Sequence, residues 1–209
     1  MRRSFLVLSL ALSACGAEGG NPAFRSTGEV IAFSGGDGGA AHACVTCHGL
    51  RGEGDGRLAP RLAGLDAGYL HRQLDDYANG RRDHKAMRAV VRRLSGEDRA
   101  RVAAYYAGLP GTGTPFAQTS ALYRARCAGC HGVRGEGGDA ANPPLAGQSP
   151  AYIAAQLEAW RAGKRRGDGM AQMLQVSRAL TPEEVRLVAG HAAPPLPPAR
   201  RPEAQAASR

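Results

Sequence analysis

The sequence predicts an all-α fold, built as a tandem repeat of two small helical domains. Three observations lead there. A shift of 83 residues maps Cys44-Val-Thr-Cys47-His48-Gly49 onto Cys127-Ala-Gly-Cys130-His131-Gly132, Arg51-Gly-Glu-Gly54 onto Arg134-Gly-Glu-Gly137, and Leu62-Ala-Gly64 onto Leu145-Ala-Gly147. Apolar and aromatic residues recur at three- and four-residue steps at matched places in both copies. No alternating pattern runs long enough to build a sheet.

The register supports a duplication over most of the chain. It pairs Pro60 with Pro143, Tyr69 with Tyr152, Gln73-Leu74 with Gln156-Leu157, Tyr77 with Trp160 and Gly80 with Gly163. A three-residue insertion then changes the shift to 86, which pairs Met87 with Met173, Leu94 with Leu180 and Val102 with Val188. The domains are expected at 28–109 and 110–193. Helices are expected over Gly68–Gly80 and Ser149–Gly163, followed by Glu97–Leu109 and Pro182 to about Ala192. Thr181-Pro182-Glu183-Glu184 is a strong start signal, with a capping hydroxyl, proline in the first turn and glutamate three residues on. Ser95-Gly-Glu-Asp98 is a weaker version of it.

Both ends lie outside this plan. Residues 1–14 read as a secretion signal: Arg2 and Arg3 precede an apolar run, Phe5–Leu12, too short to span a bilayer. The run ends in Leu12-Ser13-Ala14-Cys15-Gly16, which resembles a bacterial lipobox and makes Cys15 the expected lipidation site. Residues 15–27 would form the tether. Residues 194–209, with Pro194, Pro195, Pro197, Pro198 and Pro202, read as a disordered tail. The formal charge of +9 favours acidic partners or anionic surfaces. Basic–aromatic interleaving is missing, which argues against nucleic acid. Domains this small need an internal staple, and a covalently held apolar cofactor would supply one.

The four cysteines beyond Cys15 all fall in two Cys-x-x-Cys-His units. A histidine directly after the second cysteine reads as c-type haem attachment. Each thiol adds across one haem vinyl group, and the adjacent imidazole then lies under the iron. Cys44, Cys47 and His48 would hold one haem; Cys127, Cys130 and His131 would hold the other. A thioredoxin-like dithiol would need a βαβ setting and no histidine. A four-cysteine zinc site would join pairs much too far apart in sequence. Two short disulfide loops would be strained and would staple little.

An iron that only passes electrons needs a sixth ligand. Met87 and Met173 take matched positions, seven residues before Leu94 and Leu180, and are the expected ligands. A soft thioether favours ferrous iron relative to a second imidazole. Met170 is the alternative in the second copy, although a loop methionine is ordinarily a core gap-filler. His84 is the rival in the first copy. His42, His71, His84 and His191 lack counterparts under the shift of 83 and default to solvated surface positions. Pro60 and Pro143 are expected to offer the carbonyls that orient the two ligating imidazoles. Tyr69, Tyr77, Tyr152 and Trp160 are either core residues or neighbours of the haem propionates.

These residues together resemble the cytochrome c4 family, dihaem proteins of two class I cytochrome c domains. The resemblance covers about residues 28–193. It rests on both Cys-x-x-Cys-His-Gly sites, the Pro-x-Leu-Ala-Gly loops, the Tyr-x3-Gln-Leu-x2-aromatic-x2-Gly helices and Met-x6-Leu-[Ser/Thr]. It implies helical domains around each haem, His/Met ligation and electron delivery toward terminal haem-copper oxidases. Class I domains open with a helix leading into the haem motif, as expected for Phe116–Cys127. In the first copy Gly35, Gly36, Gly38 and Gly39 require that helix to end after about Phe33.

The expectation is a non-enzymatic dihaem electron carrier with two covalently bound haem c groups, lipid-anchored in the bacterial periplasm. Expected partners are redox proteins: a membrane oxidase, a dehydrogenase or a cytochrome bc-type complex. Two alternatives remain. One is a haem c subunit docked on a periplasmic dehydrogenase, such as an alcohol or sulfur-compound oxidase. The other is a dihaem peroxidase, which needs an open iron.

Overall fold

The computed structural model describes residues 27–111 and 113–192. The leader, Cys15, all but the last residue of the tether and the tail from 194 lie outside the described residues. No helix among the described residues is long and apolar enough to cross a membrane.

The first half holds α1 (Gly28–Ser34), α2 (Val45–His48), α3 (Ala67–Ala78), α4 (Lys85–Val91) and α5 (Gly96–Gly108). The second holds α6 (Ala121–Arg126), α7 (Ala128–His131), α8 (Pro150–Arg161), α9 (Gln172–Arg178) and α10 (Pro182–Gly190). The only β-pairing among the described residues is an isolated antiparallel bridge, Arg82 to Arg165. The all-α expectation therefore holds.

Helix limits follow local chemistry. Asp66 and Ser149 cap α3 and α8 by accepting from the backbone N–H groups of Tyr69 and Tyr152. Complete capping boxes, Ser95 with Asp98 and Thr181 with Glu184, open α5 and α10. α1 stops at Ser34 because Gly35 turns left-handed (φ 79°) and returns its N–H to the Ile31 carbonyl. The early stop in the first half is thus as expected.

The opening of the second half differs from expectation. Its helix starts at Ala121, capped by Ser120, and not at Phe116. Phe116 is instead tied to the loop after α7. Its N–H bonds the Arg134 carbonyl at 2.9 Å, Arg134 Nε bonds its carbonyl at 2.9 Å, and its ring packs edge-on to Tyr123. Met87 and Met173 sit on α4 and α9.

Each half has its own core. Leu70, Leu94, Val102 and Ala103 pack between α3 and α5, and their register partners Ile153, Leu180, Val188 and Ala189 pack between α8 and α10. One position breaks the match. Val91 is fully buried in the first half, while Ser177 in its place is equally buried with a hydroxyl that has no hydrogen-bond partner.

The halves join through equivalent segments. Asp83 N–H bonds the Lys164 carbonyl (2.7 Å) and Arg166 N–H bonds the Arg81 carbonyl (2.8 Å), on either side of the Arg82–Arg165 bridge. A second clamp lies at Arg61. Its N–H donates to Gln148 Oε1 (3.0 Å), its carbonyl accepts from Gln148 Nε2 (2.9 Å), and its guanidinium reaches the carbonyls of Ala63 and Ala146.

A buried hydroxyl without a partner costs about 1–3 kcal/mol. Ser177→Ala is therefore expected to stabilise the second half by about 1 kcal/mol, read as a higher urea midpoint for its haem absorbance; a lower midpoint would show that the hydroxyl is bonded in solution.

Candidate haem sites

Each Cys-x-x-Cys-His unit forms one helical turn that ends on its histidine, α2 and α7. The chain then loops back over that turn. Gly54 N–H bonds the His48 carbonyl and Gly137 N–H the His131 carbonyl, both at 2.8 Å. Glu53 and Glu136 hold the loop by accepting from the N–H groups of Arg51 and Arg134. This explains the repeated Arg-Gly-Glu-Gly: the acid closes the turn, and the last glycine must be left-handed (φ 83° and 72°) where the chain meets itself. A Cβ on Gly54 would fall 2.8 Å from the Ala59 carbonyl oxygen, and one on Gly137 2.5 Å from Pro144 N.

The returning strand of the loop delivers Pro60 and Pro143. His48 Nδ1 donates to the Pro60 carbonyl at 2.9 Å and His131 Nδ1 to the Pro143 carbonyl at 2.8 Å. A carbonyl only accepts, so Nδ1 carries the proton and Nε2 keeps its lone pair. Burial holds both imidazoles below their usual pKa, against the opposing pull of the carbonyl. Both rings are neutral donors at neutral pH, the form a metal requires.

The cysteines divide alike in the two halves. Cys44 and Cys127 are half-buried against the cores, while Cys47 and Cys130 are exposed. Burial is the main cause that pushes the Cys44 and Cys127 thiols up to about 11. A redox dithiol needs the opposite shift. The two pairs stand in separate halves, and no three potential ligands of a zinc-type site gather among the described residues.

Beside α7 lies a cavity of about 640 Å³, within the roughly 300–1,000 Å³ typical of ligand and cofactor sites. Cys127, Cys130 and His131 line it with Met173, and Ile153, Leu157 and Val188 make its walls apolar. Tyr69 and Gln73 of the first half also line it, so this site is completed across the junction.

The junction carries a polar network that the sequence did not disclose. Arg82 donates to Gln73 of its own half and to Tyr152 and Gln156 of the other, at 2.8, 2.8 and 2.6 Å. Arg165 donates to Gln156 of its own half and to Tyr69 and Gln73 of the other, at 3.0, 3.1 and 2.8 Å. Each guanidinium also covers an aromatic ring of its own half, Tyr77 at 4.6 Å and Trp160 at 4.9 Å. Both arginines are buried, and neither has a carboxylate partner among the described residues. Burial alone would raise the Tyr152 phenol, but Arg82 and Arg165 outweigh it and hold it below the usual tyrosine range. The surplus is positive. A flat apolar group with two carboxylates at one edge fits this setting: apolar walls, two thiols at one end and guanidinium groups at the junction.

The other candidate residues are placed as follows. His84 caps α4, its Nδ1 accepting from Met87 N–H at 3.3 Å, and Asp168 accepts from Met173 N–H at 2.6 Å. Met170 is 72% exposed and lines the cavity, so it is not a core gap-filler. The surface reading of His42 and His191 also needs correction. His42 bonds the Gly38 carbonyl, and His191 accepts from Ser120 N–H and packs on Phe116 and Tyr123. Tyr69, Tyr77 and Trp160 are buried as core residues, and the Tyr69 and Tyr152 hydroxyls serve the arginine network. Those arginines could have been found in advance, since the shift of 83 pairs Arg82 with Arg165.

Two covalent-haem domains sharing one polar junction define the class of protein. The cytochrome c family model matches residues 36–109 and again 116–191, and the chain belongs to that family. It is 40% identical over 179 residues to the thiosulfate dehydrogenase electron acceptor of Stutzerimonas stutzeri, covering 78% of this chain and 83% of that one. It is 35% identical over 163 residues to cytochrome c4 of Pseudomonas aeruginosa, covering 69% and 81%. Among solved structures, reduced cytochrome c4 from Pseudomonas stutzeri superposes with a TM-score of 0.66 at 30% identity, covering 77% of this chain and 96% of that one. Thiosulfate dehydrogenase (TsdBA) from Marichromatium purpuratum gives 0.66 at 37% identity; 78% of this chain matches, over 39% of that longer one. The protein carries two covalently bound haem c groups, attached through Cys44 and Cys47 and through Cys127 and Cys130.

A side chain on Gly137 would strain a left-handed backbone, at about 1–2 kcal/mol, and would displace the Pro143 carbonyl. Gly137→Ala is expected to lower the unfolding midpoint of the second haem domain and leave the first unchanged. Equal losses in both domains would show that the loop acts globally.

Proposed function

We propose that this protein carries single electrons from a periplasmic dehydrogenase acting on a reduced sulfur compound, thiosulfate in the first instance, toward a membrane oxidase. The observation that carries the reading is the second site, where His131 and Met173 line one cavity from α7 and α9. With His48 and Met87 at the matched sequence positions of the first half, both irons would be six-coordinate, leaving no position for a peroxide. The identity with the thiosulfate dehydrogenase electron acceptor supports the donor. Delivery toward an oxidase is what the resemblance to the cytochrome c4 family implies.

Haem c supplies a one-electron iron couple held by thioether bonds. The chain's own residues set the conditions for it. His48 and His131 present neutral Nε2 donors fixed by the Pro60 and Pro143 carbonyls. Thioether sulfur from Met87 and Met173 would favour the ferrous state. Arg82 and Arg165 would neutralise the propionates at the junction, which brings the two sites together for exchange between them. Secretion and a lipid on Cys15 would confine the carrier to the membrane surface, where its partners work.

The ligand set is tested by redox titration. Met87→His and Met173→His are each expected to lower one haem midpoint and leave the other in place; unaltered midpoints would refute the assignment. The donor is tested by mixing the oxidised protein with thiosulfate and the thiosulfate dehydrogenase of Stutzerimonas stutzeri. Rapid reduction of both haems, with no carbon monoxide binding afterwards, is expected. Peroxide turnover with a high-spin ferric fraction would support the peroxidase instead.

A further inference from the structure

The two methionine helices share a methionine and a following buried leucine on their inner sides, with Ser177 in place of Val91, and differ in charge on their outer ones. Met87 and Val91 on α4 and Leu94 just beyond it recur at four- and three-residue steps along one side, with Val91 and Leu94 buried. Lys85, Arg88 and Arg92 recur at three- and four-residue steps on the opposite side. Arg93 follows directly, beside the turn at Gly36–Gly38. Lys85, Arg92 and Arg93 are exposed and make no ion pair among the described residues, and Arg88 meets only Asp83, at 3.5 Å. No acidic residue lies between His84 and Arg93.

The matched stretch of the second half, 170–179, holds one cation, Arg178. A stripe kept for folding would be expected in both halves, because both helices set a methionine seven residues before a buried leucine. Four cations within about two and a half turns repel one another and cost stability in isolation. They have value only when negative charge is brought to them.

We infer that the outer face of α4 is the docking surface for an acidic redox protein, so that partners engage the first haem domain. The assignment rests on the electron-carrier reading above and adds where the partner sits. Cations ranged over the helix that bears Met87 would steer a negatively charged protein to that end of the molecule, and such steering raises association rates by roughly 10- to 1,000-fold at low salt.

The test compares two holoprotein variants with the same change in net charge. One is Lys85→Glu/Arg92→Glu/Arg93→Glu; the other is Arg161→Glu/Arg178→Glu/Arg186→Glu on the second half. Two probes are used: reduction by the thiosulfate dehydrogenase with thiosulfate, and oxidation of the reduced protein by ferricyanide, a small anion that takes one electron and becomes ferrocyanide. The α4 variant is expected to react about tenfold more slowly with both probes at low ionic strength and to lose most of its salt dependence. The second-half variant is expected to stay within about twofold of wild type. Equal slowing of both variants would reduce the effect to net charge and overturn the proposal, as would no slowing in either.

The charge-conserving Arg92→Lys/Arg93→Lys protein separates docking from folding. It should keep the wild-type rate, and a loss equal to the reversal would overturn the docking role. Vesicles containing phosphatidylglycerol test the competing occupant. Stripe-dependent vesicle binding with unchanged electron-transfer rates would make this face a membrane contact and sink the proposal. If the wild-type protein is not reduced by the dehydrogenase, the proposed donor fails, and the ferricyanide rates still decide the surface.

Discussion

Two buried guanidinium groups facing one another across the junction are the constraint around which the rest is arranged. Arg82 and Arg165 share the amide oxygens of Gln73 and Gln156 and lie against Tyr77 and Trp160. Amides and phenols can orient such cations, but they cannot neutralise them. Removing a charge from water costs several kcal/mol unless an opposite charge meets it. The carboxylates of a bound haem would serve as counter-ions. Cofactor binding and the closing of the two domains on each other would then meet in a single cluster.

Much of this could be read from the chain before any coordinates. The two attachment motifs, the matched methionines and the proline carbonyls are short-range or register signals, and a duplication states each of them twice. The helix limits were legible for the same reason, since Thr181 with Glu184 and Gly35 carry their own stop and start chemistry. What escaped was whatever depends on contact between the halves. Nothing local marks Gln148 as the partner of Arg61, or Arg165 as the partner of Tyr69, because those residues are 87 and 96 positions apart. Phe116 escaped for another reason. Its sequence suits a helix, but its bonds to Arg134 give its backbone a different partner.

The departures from register show where the halves have taken different tasks. Arg61 clamps the junction, while its register partner, Pro144, has no polar side chain to do the same. His84 caps α4 through its ring, while α9 follows Ala171 without a side-chain cap and Asp168, three residues before Ala171, accepts from Met173 N–H. Ala171 precedes α9 with φ 53°, and α4 opens with no such strain. The methionines and the leucines that follow them, Leu94 and Leu180, keep their register.

The Arg82–Arg165 contact is isologous: each patch meets the patch equivalent to itself. A surface of that kind is self-complementary by construction. One unduplicated domain bearing the tyrosine, glutamine and arginine of this patch has every group needed to embrace a second copy of itself around two porphyrins. Fusion into one polypeptide removes the concentration dependence of that pairing. It also frees each half to change its outer surface without destroying the symmetric contact at the centre.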